Sequence, residues 1–121
     1  MDWKEHNLNI GRLGEDIARR YLEKKGYSIV DQNYKNKYTE IDLIVRYKDS
    51  LVFVEVKTRI GEQFGIPEDA INRNKLRRLI RNAQVYMMRK NYDMDFRIDA
   101  VCIVLNENKQ VKRIEHYENI T

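Results

Sequence analysis

Hydrophobic positions along the chain change their spacing several times, and each change predicts a new element of secondary structure. Apolar residues recur at helical spacing over residues 8–25, where Gly26 ends the pattern. A second helical pattern covers residues 67–90, with Pro67 in its first turn and a break near Asn72. Shorter apolar runs bounded by polar turns predict strands at residues 27–34, 39–46, 51–58, 96–105 and 110–117.

This order of elements predicts one α/β domain over residues 1–121, in which helices flank a mixed sheet of about five strands. The strands at 39–46 and 51–58 are separated by a short polar segment, so they are expected to pair as an antiparallel hairpin. The strand at 96–105 ends in a run that is apolar on both faces, which indicates a place inside the sheet. The strand at 110–117 is expected at an edge, and residues 59–66 are expected to form a loop.

Charged residues interrupt the two hairpin strands, where a buried charge without a partner is costly. Glu55 and Lys57 share one face of their strand because side chains alternate, and Glu40 and Asp42 share a face of the other strand. In a hairpin, Asp42 can join Glu55 and Lys57. Mg²⁺ is typically held by one or two carboxylates with water and phosphate oxygens. Alternating charge is also ordinary on a solvated antiparallel sheet, and the spacing alone leaves both interpretations open.

The first predicted helix carries small residues that favour a close approach to the sheet, although glycine lowers helix propensity. They are Gly11, Gly14 and Ala18. Glu15 lies at the border of the apolar face of this helix. Arg19 follows at i+4 as a ready ion-pair partner, which favours a surface position when Glu15 is considered alone.

The second predicted helix is strongly basic, since no acidic residue occurs between Ala70 and Tyr92. Its cations are Arg73, Lys75, Arg77, Arg78, Arg81, Arg89 and Lys90. Arg73, Arg77 and Arg81 recur every four residues and form one stripe, and like charges at this spacing weaken a helix. The stripe therefore favours an external anion such as a phosphate backbone over a merely solvated face. The formal net charge of +4 agrees with a polyanionic partner because the cations are clustered.

The remaining features bear on compartment and packing. Cys102, the one cysteine, lies in an apolar run and is expected to be a core residue in a reducing compartment. The polar N-terminus and the shortness of the longest apolar run, residues 100–105, predict a cytoplasmic protein with no membrane partner. Tyr34, Tyr38 and Phe64 could stack on bases, but packing in the core or at its rim is favoured. Neither histidine, His6 nor His116, is assigned a role.

A series of short segments between about Asn9 and Ile103 resembles the YraN-like bacterial proteins. The segments are residues 15–18 after Gly11 and Gly14, residues 40–44, 52–59 and 64–67, Lys75 with Arg78-Leu79, and residues 97–101. Those proteins are small members of the PD-(D/E)XK nuclease superfamily, close in fold to archaeal Holliday-junction resolvases. The Glu-Val-Lys-Thr-Arg element at 55–59 and the Phe-Gly-Ile-Pro element at 64–67 make the resemblance specific. The bare Asp…Glu-x-Lys pattern does not.

The resemblance implies a restriction-endonuclease-like fold and a DNA endonuclease that uses Mg²⁺ or Mn²⁺. It implies Asp42 and Glu55 as metal ligands, Lys57 as the catalytic lysine and Glu15 as the helix carboxylate that completes the site. Residues expected to hold the flanking phosphates are Arg59, Arg73, Lys75, Arg77, Arg78 and Arg81. Thr39 stands where the family usually has glycine, Ile41 where the superfamily has its proline and Asp69 where glutamate is usual. None of these departures removes a catalytic group.

Phosphate contacts position DNA without reading its sequence, so structure-selective cutting of branched, nicked or single-stranded DNA in repair or recombination is expected. A binding module of nuclease fold that assists a repair partner without cutting is the first alternative. The second is a protein-interaction adaptor whose charges serve solubility. The resolvases that this family resembles are dimers, which leaves a homodimer open for this chain.

Overall fold

The computed structural model of the chain describes residues 3–63 and 65–121. It contains two α-helices, one short 3₁₀ helix and a five-stranded sheet. Their bounds are α1 Trp3–Lys24, β1 Ser28–Lys35, β2 Glu40–Tyr47, β3 Ser50–Ile60, the 3₁₀ helix Pro67–Ala70, α2 Arg73–Arg89, β4 Asp95–Leu105 and β5 Val111–Tyr117. Each predicted helix and strand is confirmed. Asn72, which interrupts the second helical pattern, caps α2: its side chain accepts a hydrogen bond from the Lys75 N–H (2.9 Å).

Two predicted boundaries are wrong. Helix α1 begins at Trp3 rather than at residue 8, because its polar first turns carry no apolar period that could have marked them. Strand β3 continues through Arg59 and Ile60 into the expected loop, because these residues pair with Val104 and Leu105 of β4. That pairing is a contact between distant segments, which local turn signals do not reveal.

The sheet has the order β1-β2-β3-β4-β5. All neighbouring strands are antiparallel except β3 and β4, which are parallel and are connected through α2. As predicted, β2 and β3 form a hairpin, β4 has neighbours on both sides and β5 lies at an edge. This mixed sheet with a helix on each face is a restriction-endonuclease-like fold. Neither described helix is long and apolar enough to cross a membrane.

Each face of the sheet has its own hydrophobic core. On one face, Ala18 and Leu22 of α1 pack against valine and isoleucine side chains of β2, β3 and β4. On the other face, the α2 residues Leu79, Ala83, Tyr86 and Met87 are buried, as the helical pattern predicts. Cys102 is buried in β4, and this burial raises the pKa of its thiol to about 12, as suits a core residue.

Gly14 is the point of closest approach between α1 and the sheet. A Cβ atom at Gly14 would overlap the Thr58 side chain of β3, whereas a Cβ atom at Gly11 would meet nothing within 4 Å. The expectation of a close approach is therefore confirmed at Gly14 and wrong at Gly11, which faces an open cleft.

This contrast predicts opposite effects for two identical substitutions. We expect Gly14→Ala to lower the free energy of unfolding by about 1–3 kcal/mol, since α1 must move away from Thr58. We expect Gly11→Ala to raise it by up to about 1 kcal/mol, because alanine is the better helix former and has room. Urea unfolding of both variants measures the difference, and equal effects would contradict this packing.

A buried polar network fixes the C-terminal segment to the sheet. The Asp99 carboxylate of β4 is fully buried and accepts hydrogen bonds from Arg97 Nε (3.0 Å), from the Asn119 N–H (2.9 Å) and from His116 Nε2 (2.7 Å). His116 Nδ1 lies 2.8 Å from the Lys25 ammonium, so Nδ1 accepts and Nε2 carries the proton donated to Asp99. His116, to which the sequence assigns no role, thus has a structural one.

Candidate functional site

The candidate site lies where β2 and β3 part. Their antiparallel ladder runs from Tyr47–Ser50 to Leu43–Val54 and ends there, while β2 continues to pair with β1 and β3 continues to pair with β4. Asp42 stands at this fork, and its Oδ2 accepts a hydrogen bond from the Val56 N–H (2.9 Å). The side chain thereby replaces a ladder bond and is held against β3.

The carboxyl groups of Asp42 and Glu55 lie within hydrogen-bonding reach of each other. Burial raises the pKa of Asp42, and the neighbouring Glu55 raises it further. Burial also opposes the ionisation of Glu55, but the hydrogen bond with Asp42 and the charges of Lys75 and Lys57 outweigh it and lower the pKa of Glu55. Two full negative charges are therefore disfavoured on this buried pair, and a bound cation would offset them.

Glu55 contributes a buried carboxylate to the site. Its side chain is 6% exposed, and Oε2 has no hydrogen-bond partner among the described residues. The ammonium of Lys75 lies 3.0 Å from Oε2, an ion-pair distance, without meeting hydrogen-bond geometry. Lys57, two residues along β3, is half-buried and lines the same cleft. A buried carboxylate oxygen with an open lone pair is suited to a hard cation.

Glu15 faces this pair from α1. Burial and the nearby charge of Glu40 raise its pKa, while a hydrogen bond with Asn33 opposes the shift. The expected ion pair between Glu15 and Arg19 does not form. Arg19 instead binds Asp16 (2.8 Å) and Glu23 (3.2 Å), its neighbours at i−3 and i+4. Glu15 is thus left facing the cleft rather than paired along the helix surface.

A cleft of about 1060 Å³ brings the predicted site residues together. Glu15, Asp42, Glu55 and Lys57 all line it, and Arg59 and Lys75 line it as well. A smaller pocket of about 370 Å³ shares Glu15 and Asp42 with the cleft and extends it toward the cations Arg12 and Lys35. The two pockets together are therefore lined by cations as well as by carboxylates, and an extended polyanion could follow them.

The donor set fits a divalent metal held by few protein ligands. Within residues 3–63 and 65–121, no three acidic, histidine or cysteine side chains lie close enough to form a metal site by themselves. Asp42 and Glu55 form the close pair, and Glu15 lines the cleft beside them. Mg²⁺ commonly takes one or two carboxylates and completes its shell with water and substrate oxygens, so this oxygen-only set suits it.

The basic residues of α2 divide into two groups. Arg73, Arg77, Arg78 and Arg81 are exposed, and none of them forms a salt bridge with another described residue. Lys75 is half-buried and reaches Glu55 inside the cleft. The sequence places Lys75 with the phosphate-binding cations and does not reveal this contact, although a glutamate inside an apolar strand signals the need for a counter-ion.

The aromatic residues considered for base stacking differ in their surroundings. Tyr34 packs edge-on against Tyr86, with 5.0 Å between ring centroids, as the packing interpretation predicts. Tyr38 is 77% exposed in the β1–β2 turn, so the prediction that it packs in the core is wrong. Phe64, part of the family-like segment 64–67, lies outside the residues that the structure describes.

Together, the strand fork, the buried carboxyl pair and the lysine beside it define an α/β protein of restriction-endonuclease-like fold with an acidic cleft. Residues 14–103 match the model of the Uncharacterised protein family UPF0102. The chain belongs to this family, which is the YraN family, so the resemblance found in the sequence is confirmed.

Individual relatives support the same assignment. A UPF0102 protein of Caldanaerobacter subterraneus subsp. tengcongensis is 41% identical over 118 residues, which cover 96% of this chain and 97% of the relative. Those of Flavobacterium psychrophilum and Alkaliphilus metalliredigens are 39% and 42% identical, covering 95% and 92% of this chain and 94% and 95% of the relatives. The similarity therefore extends well beyond the segments that form the cleft.

Proposed function

We propose that this protein is a metal-dependent endonuclease that hydrolyses phosphodiester bonds in DNA of branched, nicked or single-stranded structure. One observation carries the proposal: Asp42 and Glu55 form a buried carboxyl pair beside Lys57, in a cleft that Arg59 and Lys75 also line. Such DNA structures arise in repair and recombination, which are therefore the processes that supply the substrate.

Mg²⁺ or Mn²⁺ is the proposed cofactor, with Asp42 and Glu55 as its protein ligands and Glu15 completing the site. When bound, it lowers the pKa of a water molecule and offsets negative charge on the phosphate. Hydrolysis forms a P–O bond to the water oxygen and breaks one P–O ester bond, and the leaving oxygen takes a proton from solvent. Lys57 stabilises the charge that develops on the phosphate oxygens or orients the water, and Glu15 is placed to accept the proton that the water loses.

Four exposed arginines in the first half of α2, Arg73, Arg77, Arg78 and Arg81, supply the proposed contacts to flanking phosphates. Because such contacts carry no sequence information, the substrate is selected by its structure and flexibility in the cleft. Arg59, which is exposed where β3 leaves the cleft, contributes in the same way. Two clefts are needed to cut a symmetric junction on both sides, so a homodimer on that substrate belongs to the proposal.

Salt dependence tests the arginine stripe. We expect the double variant Arg77→Gln, Arg81→Gln to bind all DNA substrates more weakly, and the slope of log affinity against log salt to fall by about 0.9 for each phosphate that is no longer neutralised. The charge-matched control Lys109→Gln, Lys112→Gln changes exposed cations around β5 and should keep the wild-type slope. Fluorescence anisotropy between low and moderate salt measures both slopes, and equal slopes for the two double variants would contradict the assignment.

The proposed activity is tested with labelled single-stranded, duplex, flap and four-way-junction DNA, each with Mg²⁺, Mn²⁺ or EDTA. Metal-dependent cutting of one or more branched or unpaired substrates is expected, with intact duplex cut least. Sedimentation of the protein–junction complex reports whether one or two copies bind. Absence of cutting on every substrate despite tight binding would contradict the proposal.

A second function is favoured by one contact. The ion pair between Lys75 and Glu55 neutralises the carboxylate without a metal, as a non-cleaving DNA-binding module would require. The same panel separates the two functions, because a binding module holds DNA equally well in EDTA and releases no product with either metal.

A further inference from the structure

Lys75 differs from the other cations of α2 in where its charge lies. Its side chain is 28% exposed, and its ammonium lies 3.0 Å from the buried Glu55 Oε2. The backbone of Lys75 is held in the first turn of α2 by the Asn72 cap. A cation at this end of a helix is disfavoured by the helix dipole, and the contact with Glu55 offsets that cost for Lys75.

The contact places a positive charge at the oxygen that the proposed metal requires. Oε2 is the acceptor of Glu55 that lacks a hydrogen bond within the described part of the chain. An ammonium and a dication cannot both occupy this oxygen, because their mutual repulsion in a poorly solvated site is strong. Lysine is a compact charge on a flexible four-carbon stem, and the cleft of about 1060 Å³ gives it room to move.

We propose that Lys75 is an internal counter-ion that holds Glu55 in the metal-free protein, is displaced by the divalent metal and then binds the phosphate of the DNA in the cleft. The inference rests on the proposed function and adds a regulatory step to the same site. Lys75 competes with the metal before DNA binds and contributes to DNA affinity after the metal binds. Metal and DNA therefore bind with positive coupling that passes through one side chain.

The first experiment measures Mn²⁺ binding to the full chain by isothermal titration calorimetry without DNA. Removing the competing charge in Lys75→Met is expected to tighten Mn²⁺ binding about tenfold, within the usual range of coupling between sites. Lys75→Arg retains the charge and should remain near the wild type. Arg89→Met removes an exposed cation from the far end of α2 and controls for the change in net charge.

The outcomes separate this inference from the proposed function. If Glu55→Gln abolishes Mn²⁺ binding but Lys75→Met binds no more tightly than the wild type, the counter-ion role is overturned and the metal site stands. If Glu55→Gln binds Mn²⁺ as the wild type does, both the counter-ion role and the metal site at Glu55 are overturned. Circular dichroism and urea midpoints for each variant show that the fold is retained.

The second experiment tests the release of Lys75 onto DNA. Affinity for a four-way junction is measured by anisotropy in a Lys57→Ala background, which suppresses cutting, with and without Lys75→Met. The added substitution should weaken binding about tenfold with Mn²⁺ and less than about twofold in EDTA, because Lys75 is available to phosphate only when the metal occupies Glu55. Equal weakening in both conditions would overturn the release step.

Discussion

Replacing Lys57 with alanine is expected to lower the rate of DNA cleavage about 10²–10³-fold, the effect typical of losing one charge-stabilising group in an active site. Lys57 lies on the same face of β3 as Glu55 and lines the cleft, whereas the Asp42 carboxyl is held by the Val56 N–H. DNA affinity should therefore change little, and Mn²⁺ affinity should be at least retained. Single-turnover cleavage with saturating protein measures the chemical step apart from binding.

Arg59→Ala is the matched control for Lys57. Both cations lie on β3 two residues apart and both line the cleft, but Arg59 is exposed and its guanidinium donates to the Thr58 carbonyl (3.1 Å). We expect this variant to weaken DNA binding and to leave the single-turnover rate at saturation near that of the wild type. A variant Lys57→Ala that cuts at the wild-type rate, or an Arg59→Ala that loses cutting to the same extent, would refute the catalytic role of Lys57.

Replacing Asp99 with alanine is expected to cost about 3–5 kcal/mol of unfolding free energy at neutral pH, because it removes one partner from a buried charged network. Asp99 is fully buried and holds Arg97, His116 and the backbone of Asn119. Loss of the carboxylate leaves the Arg97 guanidinium and the His116 N–H without their acceptor. It also removes the hydrogen bond that ties the backbone of Asn119 to β4.

The same substitution has a defined pH dependence. Burial opposes the ionisation of Asp99, but the hydrogen bonds from His116 and Arg97 outweigh it, so the pKa of Asp99 in the folded protein lies below its usual value. The stabilisation is therefore complete above the unfolded pKa of about 3.9 and is lost as the pH falls through the lower folded pKa. The stability difference between wild type and Asp99→Ala should narrow as the pH falls below about 4.

Urea unfolding from neutral to acid pH measures this narrowing. Glu68, whose pKa is lowered to about 2 mainly by its hydrogen bond with Arg113, loses stabilisation in acid in both proteins and cancels in the difference. Asp93→Ala, which changes an exposed carboxylate, serves as control and should differ little from the wild type at any pH. A constant difference between wild type and Asp99→Ala across the acid range would show that Asp99 ionisation does not stabilise the fold.

The sequence predicts most of the fold because its local signals agree with the packing. Helix α2 keeps its apolar residues on one face, and Asn72 marks its start by the hydrogen bond that it accepts. The hairpin follows from two apolar strands and a short polar turn between them. The extension of β3 to Ile60 is missed because it depends on pairing with Leu105, which is distant in the chain.

The residues of the site that lie on the hairpin can be predicted from strand register. Those contributed by the helices are harder to predict. Asp42, Glu55 and Lys57 occupy neighbouring positions of one hairpin, so alternation along the strands brings them together. The contact between Lys75 and Glu55 joins α2 to β3, and the approach of Glu15 depends on how closely Gly14 lets α1 lie on the sheet. Residue spacing within the sequence does not reveal contacts between a helix and a strand. The family resemblance assigns Glu15 to the site, whereas it marks Lys75 only as a residue that this chain has in common with the family.

The most direct test of the central claim is single-turnover cleavage of a labelled four-way junction and a labelled flap with Mn²⁺, by wild-type protein and by Asp42→Asn purified in parallel. Asparagine keeps an oxygen acceptor for the Val56 N–H but cannot become an anionic metal ligand, so the fold and DNA binding should be preserved. We predict that the wild type cuts at least one substrate, that EDTA stops it, and that Asp42→Asn binds as tightly but is at least about 10³-fold slower. Equal cutting by both proteins, or no cutting by the wild type, would contradict the assignment of this cleft as a metal-dependent phosphodiesterase site.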